Sequence, residues 1–214
     1  MDTYLSPDPL HTALITIDIQ RDTLDGQPFE IPGTSAILPE VLRLLNFFRK
    51  QSWPIIHIVR LYKPDGSNVD LCRRTAVSSG TSLVITNSVG SQIAEPLLPS
   101  PGILLNVEQL LSGQIQQIGP RESVMYKPRW GAFFQTPLDS HLRNLDINTL
   151  VFTGCNFPNC PRASIYEASE RDFRMVAIRD GISGLDAQGV LQLEKIGVSV
   201  WDAEHYITEA ARYL

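Results

Sequence analysis

A cysteine that follows a short apolar segment and a tight turn could act as a nucleophile. Residues 149–153 are apolar and partly β-branched, which is typical of a strand covered on both faces. Gly154 ends this strand, and Pro161 fits the first turn of a helix. Cys160 therefore lies at or beside the N-cap, where free N–H groups and the helix dipole favour a thiolate. The alternative is a packed and inert thiol, because cysteine is among the most buried residue types.

Two charged residues follow other predicted strands. Asp18 comes directly after the apolar residues 12–17, and Lys127 follows residues 122–126. The carboxyl ends of parallel strands lie at one edge of a sheet, so these side chains can meet Cys160. Asp18 taken alone is equally well explained as a turn residue.

Together these three groups predict one kind of chemistry. A carboxylate beside a thiol can take its proton, and a lysine close to both favours their charged forms and lowers their pKa values. Backbone N–H groups at the cysteine turn can hold an oxyanion. Such a site attacks a carbonyl or amidine-like carbon through Cys160 and forms a thioester, which a water activated by Asp18 then hydrolyses.

The overall composition narrows the class of protein. A chain of 214 residues with 43% hydrophobic residues is predicted to form a single domain over residues 1–214. A net charge of -5 and the lack of Lys/Arg-rich runs argue against a nucleic-acid partner. No run of 18 apolar residues predicts a membrane helix, and the N-terminus does not resemble a signal peptide. Three cysteines do not make a disulfide framework, so we expect a cytoplasmic protein.

Strands alternate with helices through most of the chain, which predicts a parallel sheet covered on both faces. The predicted strands are residues 12–17, 54–60, 122–126, 149–153, 173–179 and 198–201. The predicted helices are residues 36–50, 136–145, 187–196 and 203–213, together with the helix that begins at Cys160. Residues 61–121 form a loop-rich excursion with one short helix at 71–77, and such excursions are usually functional. A lid over a pocket and a subunit contact are both candidate roles.

Three segments of the sequence resemble the isochorismatase-like hydrolases. They are Val-Phe-Thr-Gly at 151–154 with Cys160 six residues later, Ile-Asp-Ile-Gln at 17–20, and Lys-Pro-Arg-Trp-Gly-Ala-Phe at 127–133. The resemblance extends from residue 12 to about residue 201. It implies a Rossmann-like, three-layer α/β/α sandwich around a six-stranded, mainly parallel sheet.

The resemblance also implies roles for individual residues. Asp18 would be the general base and acid, Lys127 its electrostatic partner, and Cys160 the nucleophile. A cis peptide at Cys155-Asn156 would direct the N–H groups of Asn156 and Cys160 at the substrate oxygen. Family activities include nicotinamidase, N-carbamoyl and ureidoacrylate amidohydrolases, and isochorismatase. Relatives are usually oligomers, so a homo-oligomer (dimer or tetramer) is expected.

Nicotinamidases carry a metal site, Asp-x-His-x-x-His, after the second strand, and this chain does not. Its four histidines, at positions 11, 57, 141 and 205, are scattered, so we predict no catalytic metal and no cofactor. The predicted activity is cleavage of a C–N bond in a small amide, ureide or carbamoyl compound. An isochorismatase-type ether hydrolase and a catalytically silent binding scaffold are the alternatives.

Residues next to the catalytic trio or at the end of the second strand are candidate pocket walls. They are Gln20, Arg60, Tyr62, Trp130, Phe133 and Asn156. Arg60 suits a substrate carboxylate or equally an acidic residue of the excursion. Phe133 is equally well explained as a core residue, and His57 is expected to be a core histidine. The charged residues Asp65, Asp70, Arg73 and Arg74 are interpreted as a solvated or subunit-facing cluster.

Overall fold

The computed structural model describes residues 3–214, which form one mixed sheet between helices. The strands are β1 (Thr12–Ile17), β2 (Ile55–Val59), β3 (Gln116–Gly119), β4 (Glu122–Tyr126), β5 (Thr149–Gly154), β6 (Arg174–Ile182) and β7 (Ser199–Trp201). The helices are α1 (Thr34–Gln51), α2 (Arg74–Ser78), α3 (Val107–Leu111), α4 (Leu138–Asn144), α5 (Cys160–Ser169), α6 (Ala187–Glu194) and α7 (Ala203–Ala211).

The strand order is β3-β4-β2-β1-β5-β6-β7, and every pairing is parallel except β3 with β4. The predicted α/β class is therefore confirmed, but the sheet has seven strands instead of six. The additional strand, β3, is a short edge strand within residues 61–121. Its sequence, Gln-Gln-Ile-Gly, has no apolar alternation because neither of its faces is fully buried.

Two apolar layers cover the faces of the sheet, as the predicted sandwich requires. One layer contains Leu44 and Phe48 of α1 together with Tyr206 of α7. The opposite layer contains Leu142 of α4 and Ile165 of α5. All six residues of β1 are buried, which explains why this central strand is continuously apolar and β-branched.

The excursion at residues 61–121 folds back over the carboxyl edge of the sheet. Isolated bridges pair Gln20 with Ile93 and Tyr62 with Ile85. The short helix predicted at 71–77 is a 3-10 turn at Leu71–Arg73 that continues into α2. A small apolar cluster, which includes Tyr62 and Leu83, fixes this segment above the strand ends.

Gly154 allows β5 to leave the sheet next to β1. Its φ is +133°, and a Cβ at this position would clash with the Ile17 carbonyl oxygen. We expect Gly154→Ala to lower the free energy of unfolding by more than about 3 kcal/mol, because strain and backbone overlap add. The matched control, Gly26→Ala, has a positive φ of +74° but no neighbour within 4 Å, so about 1–2 kcal/mol is expected. Urea unfolding measures both values, and equal losses would contradict the proposed clash.

Among residues 3–214, no helix is both long enough and apolar enough to cross a lipid bilayer.

Candidate active site

The three residues of the predicted trio lie at one edge of the sheet. Asp18 follows β1, Lys127 follows β4, and Cys160 is the first residue of α5, which comes after β5. The Nζ atom of Lys127 donates to Asp18 Oδ2 over 2.7 Å, and the Lys127 side chain is completely buried. Cys160 is buried and lines the same small pocket as Asp18. The fold therefore places these residues in one site, although they are far apart in the sequence.

Asp18 has one carboxylate oxygen held and one free. Oδ2 accepts from Lys127, whereas Oδ1 is buried and has no hydrogen-bond partner among the described residues. Burial raises the pKa of Asp18, but the positive charges of Lys127 and Arg60 more than offset this and hold the pKa below 3.8. Asp18 is therefore a carboxylate at neutral pH, with one oxygen free to accept a proton.

The Cys160 thiol is shifted in the direction opposite to the sequence-based expectation. Burial and the negative charge of Asp18 raise the pKa of Cys160 above 9.0, although Lys127 and Arg60 act to lower it. The prediction of a lowered thiol pKa is therefore wrong for the free protein, because the sulfur lies in a buried site beside a carboxylate. The thiol needs a base for attack, and Asp18 is close enough to be that base.

The backbone at the cysteine turn offers two donors. The peptide between Cys155 and Asn156 is cis. Among the described residues, the N–H groups of Asn156 and Cys160 have no backbone or side-chain acceptor, whereas the intervening Phe157 N–H donates to Ser183 O. Two free N–H groups beside the thiol suit an oxyanion.

Both terminal nitrogens of the Arg60 guanidinium are engaged with the protein, whereas its Nε is buried without a partner among the described residues. Its guanidinium forms a buried ion pair with Asp70, donates to Arg129 O over 2.7 Å, and lies 3.6 Å from the Cys160 sulfur. Of the two predicted roles, the pairing with an acidic residue of the excursion is the one observed. Arg60 thus places a second positive charge next to the sulfur and does not present a free fork to a substrate carboxylate.

Gln20 and Tyr62 were predicted as pocket walls. Gln20 lines the pocket at Cys160, whereas Tyr62 is buried and does not belong to that lining. The Gln20 side chain bonds Arg60 N, Arg60 O and Ser91 O, and it links β1 to the excursion. Tyr62 is fully buried, and its hydroxyl donates to Asp70. Their polar atoms are used within the protein, which leaves none to orient a substrate.

The two predicted aromatic walls occupy different environments. Phe133 lies in the core, with its ring 5.8 Å from that of Phe173, so the core interpretation is the one observed. Trp130 is half-buried and lines a surface cavity next to Asn159, beside the start of α5. This cavity is separate from the pocket that contains Cys160, so the role of Trp130 as a wall of that pocket stays a prediction.

Sequence reasoning missed several residues that line the pocket at Cys160. They are Thr23, Phe29, Ile31, Arg73, Leu83 and Val84. The pocket has room for about one water molecule. Arg73 and Asp70 were interpreted as part of a solvated or subunit-facing cluster, but Arg73 lines the pocket and Asp70 is buried. The only feature of the sequence that pointed to these pocket residues was the group of charged residues soon after the second strand.

Histidine 57 is a core residue, as predicted. Its buried ring forms two hydrogen bonds. Nδ1 lies 2.7 Å from Thr16 Oγ1, and Nε2 lies 2.8 Å from Glu122 Oε1. Within residues 3–214, no three His, Cys, Asp or Glu side chains are grouped to hold a metal ion. The lack of a catalytic metal stays a prediction.

The fold and site define a class: a three-layer α/β/α protein with a buried Asp, Lys and Cys at the carboxyl edge of its sheet. The sequence model of the Isochorismatase domain matches residues 12–102 and 107–203. The chain therefore belongs to the isochorismatase family, within the isochorismatase-like hydrolase superfamily, which confirms the resemblance seen in the sequence.

Individual relatives span most of the chain. A protein named "Probable inactive nicotinamidase" from Arabidopsis thaliana is 27% identical over 94% of this chain and 97% of its own length. An N-carbamoylsarcosine amidase from an Arthrobacter species is 30% identical over 84% of this chain and 62% of its own length. The crystal structure of an isochorismatase family protein from Desulfovibrio vulgaris has a TM-score of 0.79 and 26% identity, and covers 94% of this chain and 98% of that chain.

Proposed function

We propose that this protein is a metal-independent cysteine hydrolase that cleaves a C–N bond of a small amide, ureide or carbamoyl compound through a thioester on Cys160. The observation that carries the proposal is the free Oδ1 of Asp18, in a carboxylate held ionised by Lys127 and lying in one pocket with the thiol. The similarity to a protein named N-carbamoylsarcosine amidase supports C–N hydrolysis in particular.

In the first half of the proposed reaction, Asp18 takes the Cys160 proton as the sulfur attacks the substrate carbonyl carbon. The carbonyl π electrons move to oxygen, and the N–H groups of Asn156 and Cys160 bind this oxyanion. Lys127 and Arg60 stabilise the negative charge that develops on the sulfur as its proton leaves. When the oxyanion collapses, the C–N bond breaks, and Asp18 gives its proton to the departing nitrogen.

In the second half, water replaces the released amine. Asp18, again a carboxylate, takes a proton from this water as its oxygen attacks the thioester carbon. The C–S bond breaks, and the proton returns from Asp18 to the Cys160 sulfur. One water is consumed, one amine and one acid are formed, and the site returns to its starting protonation state.

The test is detection of the thioester during turnover. The purified protein is incubated with a library of amides, ureides and carbamoyl compounds, released ammonia or amine is measured, and reactions that turn over are acid-quenched for mass spectrometry. We expect an acyl or carbamoyl adduct on the peptide that contains Cys160, removed by hydroxylamine. Turnover with an adduct on another residue, or no turnover with any compound, would overturn the proposal.

A catalytically silent scaffold is the second candidate, because one similar protein is named inactive. Against it, the charged partners that a working thiol needs are all in place, with Lys127 and Arg60 both directed at Asp18 or the sulfur. A silent scaffold would bind compounds of the library without releasing amine. The cytoplasmic location and the dimer or tetramer remain proposals from the sequence.

A further inference from the structure

The charges around the pocket do not balance. Asp18 forms an ion pair with Lys127, and Asp70 forms a buried ion pair with Arg60. Arg73 also lines the pocket, but among residues 3–214 no carboxylate oxygen lies within 4 Å of its guanidinium nitrogens. This pocket therefore contains a cation without an anionic partner.

Two aromatic rings hold Arg73 at the mouth of the pocket. Its guanidinium carbon lies 5.3 Å from the centre of the Phe29 ring and 5.4 Å from that of Trp130. The two nearby rings favour the cation, and the guanidinium can still donate hydrogen bonds through the N–H groups at its edge. All three side chains are half-buried, so an incoming ligand meets this edge on its way to Cys160.

A chain of two hydrogen bonds, from Arg73 to Tyr62 and from Tyr62 to Asp70, also holds Arg73 in place. The Tyr62 hydroxyl donates its proton to Asp70, which leaves its oxygen able to accept. Arg73 Nη1 lies 3.4 Å from that oxygen and donates to it. The arrangement uses one of the five donors of Arg73, and the remaining donors are available to a ligand.

From this placement we propose that Arg73 binds a carboxylate of the substrate, so that the scissile amide, ureide or carbamoyl group belongs to a small monocarboxylic acid. The inference rests on the proposed function for the identity of the reacting group. A single guanidinium suits one carboxylate. The walls Phe29, Ile31, Leu83 and Val84 are apolar, so the group between the two ends of the substrate is expected to be short and uncharged.

Alkylation of Cys160 by two reagents of nearly equal size tests the proposal without turnover. Iodoacetate carries a carboxylate, whereas iodoacetamide is neutral. The rates of modification of Cys160 are followed by mass spectrometry at pH 9 in a Cys72→Ser background, which removes the exposed thiol next to Arg73. The ratio of the two rates cancels any change in the reactivity of the sulfur itself.

We expect Arg73→Gln to lower the iodoacetate-to-iodoacetamide ratio about tenfold, and Arg73→Lys to lower it less because the charge remains. Arg74→Gln is the matched control, because Arg74 is an exposed neighbour that does not line the pocket, and its ratio is expected to stay within twofold of the parent. In turnover, N-carbamoylglycine is expected to be hydrolysed with a lower KM than its amide, and Arg73→Gln to remove this difference.

The outcomes separate this inference from the proposed function. An unchanged ratio in Arg73→Gln, or an equal fall in Arg74→Gln, overturns the carboxylate site even if the protein hydrolyses amides. A ratio that depends on Arg73, in a protein that hydrolyses no compound of the library, overturns the proposed function and leaves the anion site in place. Failure of both reagents to modify Cys160 overturns both.

Discussion

Replacement of Cys160 by serine is expected to lower kcat/KM by at least about 10³-fold while the protein stays folded. The hydroxyl is a much weaker nucleophile than the thiol in a site where the base, Asp18, has a pKa below 3.8 and therefore little power to deprotonate an alcohol. Serine differs by one atom, so the buried start of α5 keeps its packing. Steady-state kinetics on a compound found in the library, with a thermal melt of each protein, measures both expectations.

The other two cysteines are the controls for this substitution. Cys155 is buried, donates to Asp18 O over 3.0 Å, and has a pKa raised to about 12 by burial, so it is a thiol with a structural contact. A serine can make the same hydrogen bond, and Cys155→Ser is expected to reduce kcat/KM far less than Cys160→Ser. Cys72 is exposed, and Cys72→Ser is expected to have no effect. A larger loss for Cys155→Ser would mean that the nucleophile is Cys155.

Replacement of Asp18 by asparagine is expected to lower kcat/KM by about 10²–10⁴-fold, because the amide cannot take the Cys160 proton or return it to the leaving nitrogen. The same change leaves the buried Lys127 without a negative partner. A buried charge that loses its counter-ion is costly, so the free energy of unfolding is expected to fall by about 3 kcal/mol. Kinetics and urea unfolding on the same preparation measure the two effects.

Asp22→Asn is the matched control, because Asp22 is a second buried carboxylate of the same segment that is outside the trio. Its Oδ2 accepts from Val84 N over 2.7 Å, and an asparagine oxygen can accept the same bond. We expect a small loss of stability and little change in kcat/KM. Comparable losses of activity in both variants would show that any neutral residue here disturbs the site, and Asp18 would no longer be supported as the base.

The dependence of kcat/KM on pH tests the protonation states proposed for Asp18 and Cys160. The proposed reaction starts from ionised Asp18 and protonated Cys160, whose pKa values are lowered below 3.8 and raised above 9.0. A plot of kcat/KM against pH is therefore expected to rise on the acid side as Asp18 ionises, stay level through neutral pH, and fall on the alkaline side as Cys160 loses its proton. Because the folded-state pKa of Asp18 is depressed, the stability from its pair with Lys127 is present above pH 3.8 and is lost as the pH falls through the folded-state value. A rising limb near pH 7 would contradict this assignment.

The positions of Asp18, Lys127 and Cys160 were predictable from the sequence for a local reason. Each follows a short apolar segment, and a parallel sheet brings the carboxyl ends of such strands to one edge. The same short apolar segments predicted the strands before these residues and the burial of His57 within the second strand. The edge strand β3 was not predictable in this way, because its polar residues carry no pattern of burial.

The surroundings of the trio were decided by tertiary structure alone. Arg60, Asp70 and Arg73 are close in sequence, yet their roles differ. Arg60 contacts the sulfur, Asp70 pairs with Arg60, and Arg73 lines the pocket without a carboxylate partner among residues 3–214. These roles depend on how the excursion folds back over the sheet, which no local pattern specifies. The pKa of the Cys160 thiol is shifted upward instead of downward for the same reason. Burial and the nearness of Asp18 are long-range properties, and in the folded protein they outweigh the positive charges that favour a thiolate.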